Sequence, residues 1–211
     1  MALSIHHLAF QRNNKLLFSD ISFGLEAGEM LQVRGENGCG KSTLLRILAG
    51  YIYPETGRVL WHGKNIFQHL DDYSEAITYL GHQNGLKPHL TVYENLKLAV
   101  ALSGIKMQSD ALKNILHVMK LDQSEKTQAV YLSAGQKRRL ALARLQLIPA
   151  RLWILDEPAT ALDHAGRHLL ADMLKQHLAC GGMAIVATHH DSDSGSVIKT
   201  LELGSKASIY V

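Results

Sequence analysis

The sequence predicts an α/β fold with a mainly parallel core sheet, a small antiparallel β subdomain and an inserted helical subdomain. Leu152–Leu155 and Ala184–Ala187 are apolar throughout, the pattern of strands buried on both faces by flanking helices. Helical segments alternate with these strands, which argues for parallel βαβ connections. Between Asn84 and Tyr131 the alternation stops and the pattern becomes helical only. The 211 residues suffice for one domain with a sizeable core. The expected division is a single domain over 1–211, with 1–83 and 132–211 forming the core and its antiparallel subdomain and 84–131 the helical subdomain.

Leu3 to Phe10 and Ile21 to Leu25 read as antiparallel strands joined by a turn at Asn13-Asn14. Met30 to Arg34 is an apolar strand that runs directly into a glycine-rich loop. From Lys41 the chain is helical, with Leu44, Leu45, Ile47 and Leu48 on the buried side, and Gly50 and Pro54 mark its end. Gly57 to Trp61 is a strand with a turn at His62-Gly63, and Ile77 to Leu80 is another. Thr91-Val-Tyr-Glu94 forms a capping box for a helix through Leu102. Ser109 or Asp110 caps the next helix, through Met119, and Asp122 to Gln128 is polar connection. Ala134 to Ile148 and His164 to Cys180 are helices, each preceding one of the buried strands.

Composition bounds the chemistry. A net charge of +3 and a charged fraction of 19% are too mild to indicate nucleic acid. The run Lys137-Arg138-Arg139 reads as a solvated helix face. Two cysteines, Cys39 and Cys180, fit a reducing compartment, and Cys39 lies inside the glycine-rich loop, where a structural disulfide is implausible. The twelve histidines are read without a metal role, on the expectation that no HxxxH or CxxC spacing is present and because the pairs His6-His7 and His189-His190 would point to opposite faces of a strand. The N-terminus lacks the basic and apolar regions of a secretory leader. No stretch reaches the ~18 apolar residues of a membrane span. The chain is therefore expected to be soluble alone and to meet a membrane only through a partner.

Gly35, Glu36, Asn37, Gly38, Cys39, Gly40, Lys41, Ser42 and Thr43 match GxxxxGK[ST] between a strand and a helix. Glycines let the backbone approach phosphate, and the helix N-terminus favours an anion. Lys41 adds charge at the β- and γ-phosphates, and Ser42 offers a hydroxyl to Mg²⁺. Asp156 ends an apolar strand and can hold Mg²⁺, while Glu157 can polarise an attacking water. These residues point to ATP hydrolysis. Leu132-Ser-Ala-Gly-Gln136 opens a helix, and Ser133 with Gln136 forms a capping box. That helix N-terminus, with the Ser133 hydroxyl and the Gly135 N–H, is also an anion site.

This last segment, followed by Asp156-Glu157, resembles the signature of the ATP-binding cassette (ABC) ATPases. The likeness spans essentially the whole chain. It implies that Gln83 touches Mg²⁺ or water and reports to a membrane partner, that Asp163 belongs to the loop at the subunit contact, and that His189 contacts the γ-phosphate. It implies that two copies sandwich ATP, with Ser133, Gly135 and Gln136 of one copy meeting the phosphate loop of the other. The signature usually has Gly where Ala134 stands, which a helix accepts. The family often stacks an aromatic on adenine at the position of Arg12; either the Arg12 guanidinium or the Phe10 ring can serve here. The spellings Leu45-Arg-Ile-Leu-Ala-Gly50, Tyr79-Leu-Gly-His-Gln83 and Leu152-Trp-Ile-Leu-Asp-Glu-Pro158 are similar to the branch of ATPase subunits that serve cytochrome c maturation. That likeness implies an integral membrane permease as partner, a peripheral position on the cytoplasmic face of the bacterial inner membrane, and haem as an indirect cargo, with no nucleic acid. A different exporter, or a soluble ABC ATPase acting on nucleic acid or ribosomes, is the alternative.

Overall fold

The computed structural model describes residues 2–188, 198–204 and 208–210. Strands β1 (Leu3–Arg12) and β2 (Lys15–Leu25) form an antiparallel hairpin, in which Arg12 faces Lys15 across the turn. Asn13 and Asn14 both have positive φ, 50° and 60°, as a tight two-residue hairpin turn requires. The hairpin is longer than the sequence suggests. β2 begins at Lys15 rather than Ile21, and its pairing with β1 carries several shifts in register. β4 (Thr56–Trp61) pairs antiparallel with β1, and the short β5 (Lys64–Asn65) closes a four-stranded sheet in the order β2-β1-β4-β5.

The second sheet has six strands. β3 (Met30–Arg34) lies between β8 (Met183–Ala187) and β9 (Ile198–Glu202), parallel to both. β7 (Leu152–Asp156) runs parallel to β8, β6 (Ile77–Leu80) lies beyond β7, and β10 (Ser208–Tyr210) is an antiparallel edge. All five residues of β7 and of β8 are buried, in keeping with their unbroken apolar sequence. Helix α1 (Lys41–Leu48) packs on β7 and β8. Its last carbonyls are held in part by Tyr73, whose hydroxyl donates to the Leu48 carbonyl at 2.6 Å. Burial pushes that phenol's pKa up. Tyr73 belongs to α2 (Leu70–Ala76), a helix the sequence did not reveal.

The chain forms two compact units. One comprises residues 1–79, 150–157 and 174–211; the other comprises 80–149 and 158–173. The first holds both sheets and a core running from Leu3, Ile5 and Leu8 through Leu31, Val33, Leu44 and Leu48 to Ile154 and Ile185. The second is helical: α3 (Val92–Leu102), α4 (Ser109–Val118) and α5 (Ala134–Leu147) pack pairwise, with the N-terminal part of α6 (His164–Ala179) in the same unit. The Thr91–Glu94 capping box is formed, but Gln108, not Ser109 or Asp110, precedes α4 and supplies no side-chain cap. Inside this unit buried Asn95 donates to the carbonyls of Lys87, Leu90 and Thr91 and accepts from the Lys87 N–H at 2.8 Å, fixing the approach to α3. Among the described residues, no helix is long and apolar enough to cross a membrane.

Candidate nucleotide-binding site

β3 delivers the chain into the glycine-rich loop, and two of its glycines are required by the space around them. Gly35 has φ of 139°, and a Cβ there would collide with the Leu203 carbonyl oxygen and stand 2.7 Å from the Cys39 sulfur. Gly40 has φ of 108°, and a Cβ would lie 3.1 Å from the Phe18 ring and 3.2 Å from Leu17 Cβ. Gly40 is also the residue before α1. No side chain caps that helix end and no acidic residue stands in its first turn. Its leading N–H groups and positive dipole end are thus offered to an anion rather than to the protein's own carboxylates. Lys41 is 6% exposed and its Nζ donates to the carbonyls of Gly35 at 2.7 Å and Glu36 at 3.0 Å. The ammonium is therefore held in the middle of the loop rather than swinging in solvent.

A cleft of about 570 Å³ opens over this loop, lined by Asn37, Gly38, Gly40, Lys41, Ser42, Thr43 and Glu157, with Arg12, Asn13, Lys15 and Leu17 from the hairpin. Its size is that of a small-molecule site. Three cations, Arg12, Lys15 and Lys41, face one carboxylate, Glu157, a balance suited to a polyphosphate. Arg12 lines the cleft; Phe10 is half-buried instead, its ring 6.3 Å from that of Phe18 and packed against the core. Asn13 and Lys15 were not singled out from the sequence. The signal for them was the turn itself, since a two-residue hairpin puts Lys15 opposite Arg12.

Asp156 ends β7 at 2% exposure, paired in register with Ala187. Glu157 follows in the left-handed region, φ 49°, with its N–H donating to the Ala187 carbonyl at 2.9 Å. A non-glycine residue in that region costs on the order of 1 kcal/mol. The hydrogen bond to the end of β8 holds it there. Thr188 continues from β8, its N–H donating to the Val33 carbonyl at 3.2 Å. His189 lies outside the described residues. Cys39 is half-buried and lines a smaller hollow with Lys15 to Ser19.

The remaining residues singled out from the sequence belong to the helical unit. The Ser133 cap of α5 is formed reciprocally: its Oγ accepts from the Gln136 N–H at 3.2 Å, and Gln136 Oε1 accepts from the Ser133 N–H at 3.0 Å. Gln136 Nε2 donates to Ser124 at 3.3 Å, while Ser133 remains exposed. Asp163 accepts from the Gly166 N–H at 2.8 Å and from Arg139 at 2.5 Å. The Gly166 bond first, then Arg139, hold its carboxyl below the usual carboxylate range. The stability this contributes is present at neutral pH and is lost as pH falls through the lowered value. Gln83 is exposed in the loop after β6.

The basic run of α5 is not a solvated face. Arg138 is 3% exposed; its Nε donates to the Pro158 carbonyl at 3.0 Å, and its Nη1 to the Gly81 carbonyl at 3.1 Å and Asn84 Oδ1 at 3.0 Å. Arg144 donates to the Asn84 carbonyl at 2.7 Å. Two arginines of one helix thereby hold the loop on both sides of Gln83, and Arg138 also holds the residue that follows Glu157. Arg138→Met would leave the two carbonyls and the Asn84 amide oxygen without this donor. The expected cost is about 2–4 kcal/mol, read as a lowered denaturant midpoint, with Arg138→Lys restoring part of it. A midpoint unchanged in Arg138→Met would show that the three bonds contribute nothing net.

Comparison with known proteins agrees with this geometry. The family model described as ABC transporter matches residues 18–160. The cytochrome c biogenesis ATP-binding export protein CcmA of Haemophilus ducreyi is 42% identical over 201 residues, covering 95% of each chain. The protein of the same name from Methylococcus capsulatus is 45% identical over 192 residues, covering 91% of this chain and 93% of its own. A solved structure of a putative ABC transporter ATP-binding protein from Pyrococcus furiosus superposes with a TM-score of 0.84 at 24% identity, covering 98% of this chain and 99% of its own. A phosphate loop in which Gly35 and Gly40 leave no room for a side chain, a helix capped by Ser133 at the Leu132–Gln136 segment, and relatives matched nearly end to end leave one assignment: the chain belongs to the ABC transporter family as an ATP-binding subunit.

Proposed function

We propose that two copies of this chain hydrolyse ATP at a shared interface and so drive an integral membrane permease of cytochrome c maturation. The observation that carries the hydrolytic part is the cleft in which the uncapped start of α1, the Lys41 ammonium and the Glu157 carboxylate meet. The loop N–H groups and Lys41 bind and orient the β- and γ-phosphates, and Arg12 stacks on the base. Ser42 and Asp156 are hard oxygen donors at the first turn of α1 and the tip of β7, a donor set suited to Mg²⁺; a role for Gln83 at the same ion rests on the family resemblance alone. Mg²⁺ held by these residues would neutralise charge on the phosphates. Glu157 accepts a proton from the attacking water, and His189 steadies the γ-phosphate.

Ser133, Gly135 and Gln136 of the second copy close the site, with Asp163 at the contact between the copies. The γ-phosphate then bridges both chains, and its loss separates them. The helical segment 84–131 and the loop of Gln83 pass this motion to the permease. The assignment to cytochrome c maturation, with haem as indirect cargo and a peripheral place on the inner face of the membrane, rests on the relatives' names and on shared spellings. Purification of the native complex from membranes, followed by identification of the partner, tests it. A cytochrome-assembly permease whose presence raises ATP turnover is the expected result; a permease of another exporter, or bound RNA, would overturn it.

A further inference from the structure

Outside the nucleotide site, the first turns of α6 carry a pair of histidines that corrects the expectation of no HxxxH spacing. His164 and His168 stand at HxxxH spacing, one helical turn apart on one face. Both are exposed, and their Nε2 atoms are 3.2 Å apart, with rings 4.3 Å between centroids and inclined at 75°. A divalent metal bonded to two imidazoles at about 2.0–2.1 Å spans about 2.9 Å between the nitrogens at a right angle and about 3.3 Å at the tetrahedral angle. The observed separation falls inside that window. Neither ring is buried, so small rotations that make the two lone pairs converge meet no packing.

We propose that His164 and His168 form a bidentate site for a late first-row divalent ion, Zn²⁺, Ni²⁺ or Cu²⁺. Imidazole nitrogen suits these ions, whereas Mg²⁺ prefers oxygen. The site is therefore chemically separate from the one proposed for nucleotide. Among the described residues, no group of three or more His, Cys, Asp or Glu side chains could hold a metal. The pair thus supplies two ligands and leaves the remaining positions to water. The surrounding charge is compatible. Asp172 stands one turn further along α6. Arg167, between the histidines in sequence, directs its Nε to the Leu162 carbonyl at 3.3 Å. Binding bridges residues i and i+4 and so fixes the first turns of the helix that begins just after Asp163.

The test is calorimetric titration of the untagged full chain with ZnCl₂ and with NiCl₂, without nucleotide, beside His164→Gln, His168→Gln and the double variant. Cys39 and Cys180 are common to all four proteins and cancel in the comparison. Each single variant is expected to bind at least tenfold more weakly, and the metal is expected to raise the melting temperature of the unsubstituted protein alone. Equal affinity and equal melting shifts in the unsubstituted chain and the double variant would overturn the proposal. A tenfold loss from only one of the two substitutions would also overturn it, because a chelate needs both rings.

Discussion

Glu157→Gln is expected to bind ATP as tightly as the unsubstituted chain, to turn it over about 10²–10³-fold more slowly, and to accumulate as an ATP-bound dimer. The rate loss follows from the role of a general base, whose contribution is typically 10²–10⁴-fold. Glutamine keeps the shape of the side chain and its place in the cleft but cannot take a proton. Binding is spared because the cleft's other charged groups, Arg12, Lys15 and Lys41, are cationic, so removing the one carboxylate can only lessen repulsion of a triphosphate. The backbone supports the same outcome. Glu157 is held at φ 49° by the hydrogen bond from its N–H to Ala187, which does not involve the side chain. With hydrolysis blocked, the γ-phosphate proposed to bridge two copies would stay in place. Phosphate release and size-exclusion chromatography with ATP measure the two effects. Turnover within twofold of the unsubstituted chain would remove Glu157 from the role of base.

The parts of this molecule that could be read from sequence are those whose cause is local. The Asn13-Asn14 turn, the capping boxes at Thr91 and Ser133 and the apolar runs of β7 and β8 each depend on residues within a few positions of one another. The phosphate loop is local in the same sense, since its glycines, Lys41 and Ser42 act together across one strand-to-helix junction. Most of what escaped has non-local causes. Arg138 looked solvated because nothing near it in sequence could satisfy a guanidinium. Its acceptors lie 57, 54 and 20 residues away, at Gly81, Asn84 and Pro158. Lys15 lines the cleft only because the hairpin folds it back beside Arg12. Helix α2 begins without a side-chain cap, so the usual start signal was missing. His164 and His168 did have a local signal, the i, i+4 spacing, obscured by ten other histidines.

Lys41→Ala is expected to weaken ATP binding by at least about 100-fold while leaving the fold in place. A hydrogen bond to a charged group contributes about 1.5–3 kcal/mol, and each 1.4 kcal/mol is a factor of ten in affinity. Loss of contacts to both the β- and γ-phosphates therefore accounts for two or more orders of magnitude. A second cause lies in the loop itself. The Lys41 ammonium holds the carbonyls of Gly35 and Glu36, and without it those oxygens are free to turn toward the anion and repel it. The fold should survive because Ala favours the helix that starts at this position. Lys41→Arg separates the two causes. It keeps the charge, but its planar, forked donors do not reproduce a compact ammonium between two carbonyls. If charge alone mattered, Lys41→Arg would bind ATP almost normally. If the loop must also be held, it falls between Lys41→Ala and the unsubstituted chain, and this intermediate result is the one expected. Titration with a fluorescent ATP analogue, with melting temperature as the control for folding, distinguishes them. Binding by Lys41→Ala within threefold of the unsubstituted chain would mean that the α1 N-terminus and backbone N–H groups hold the triphosphate alone.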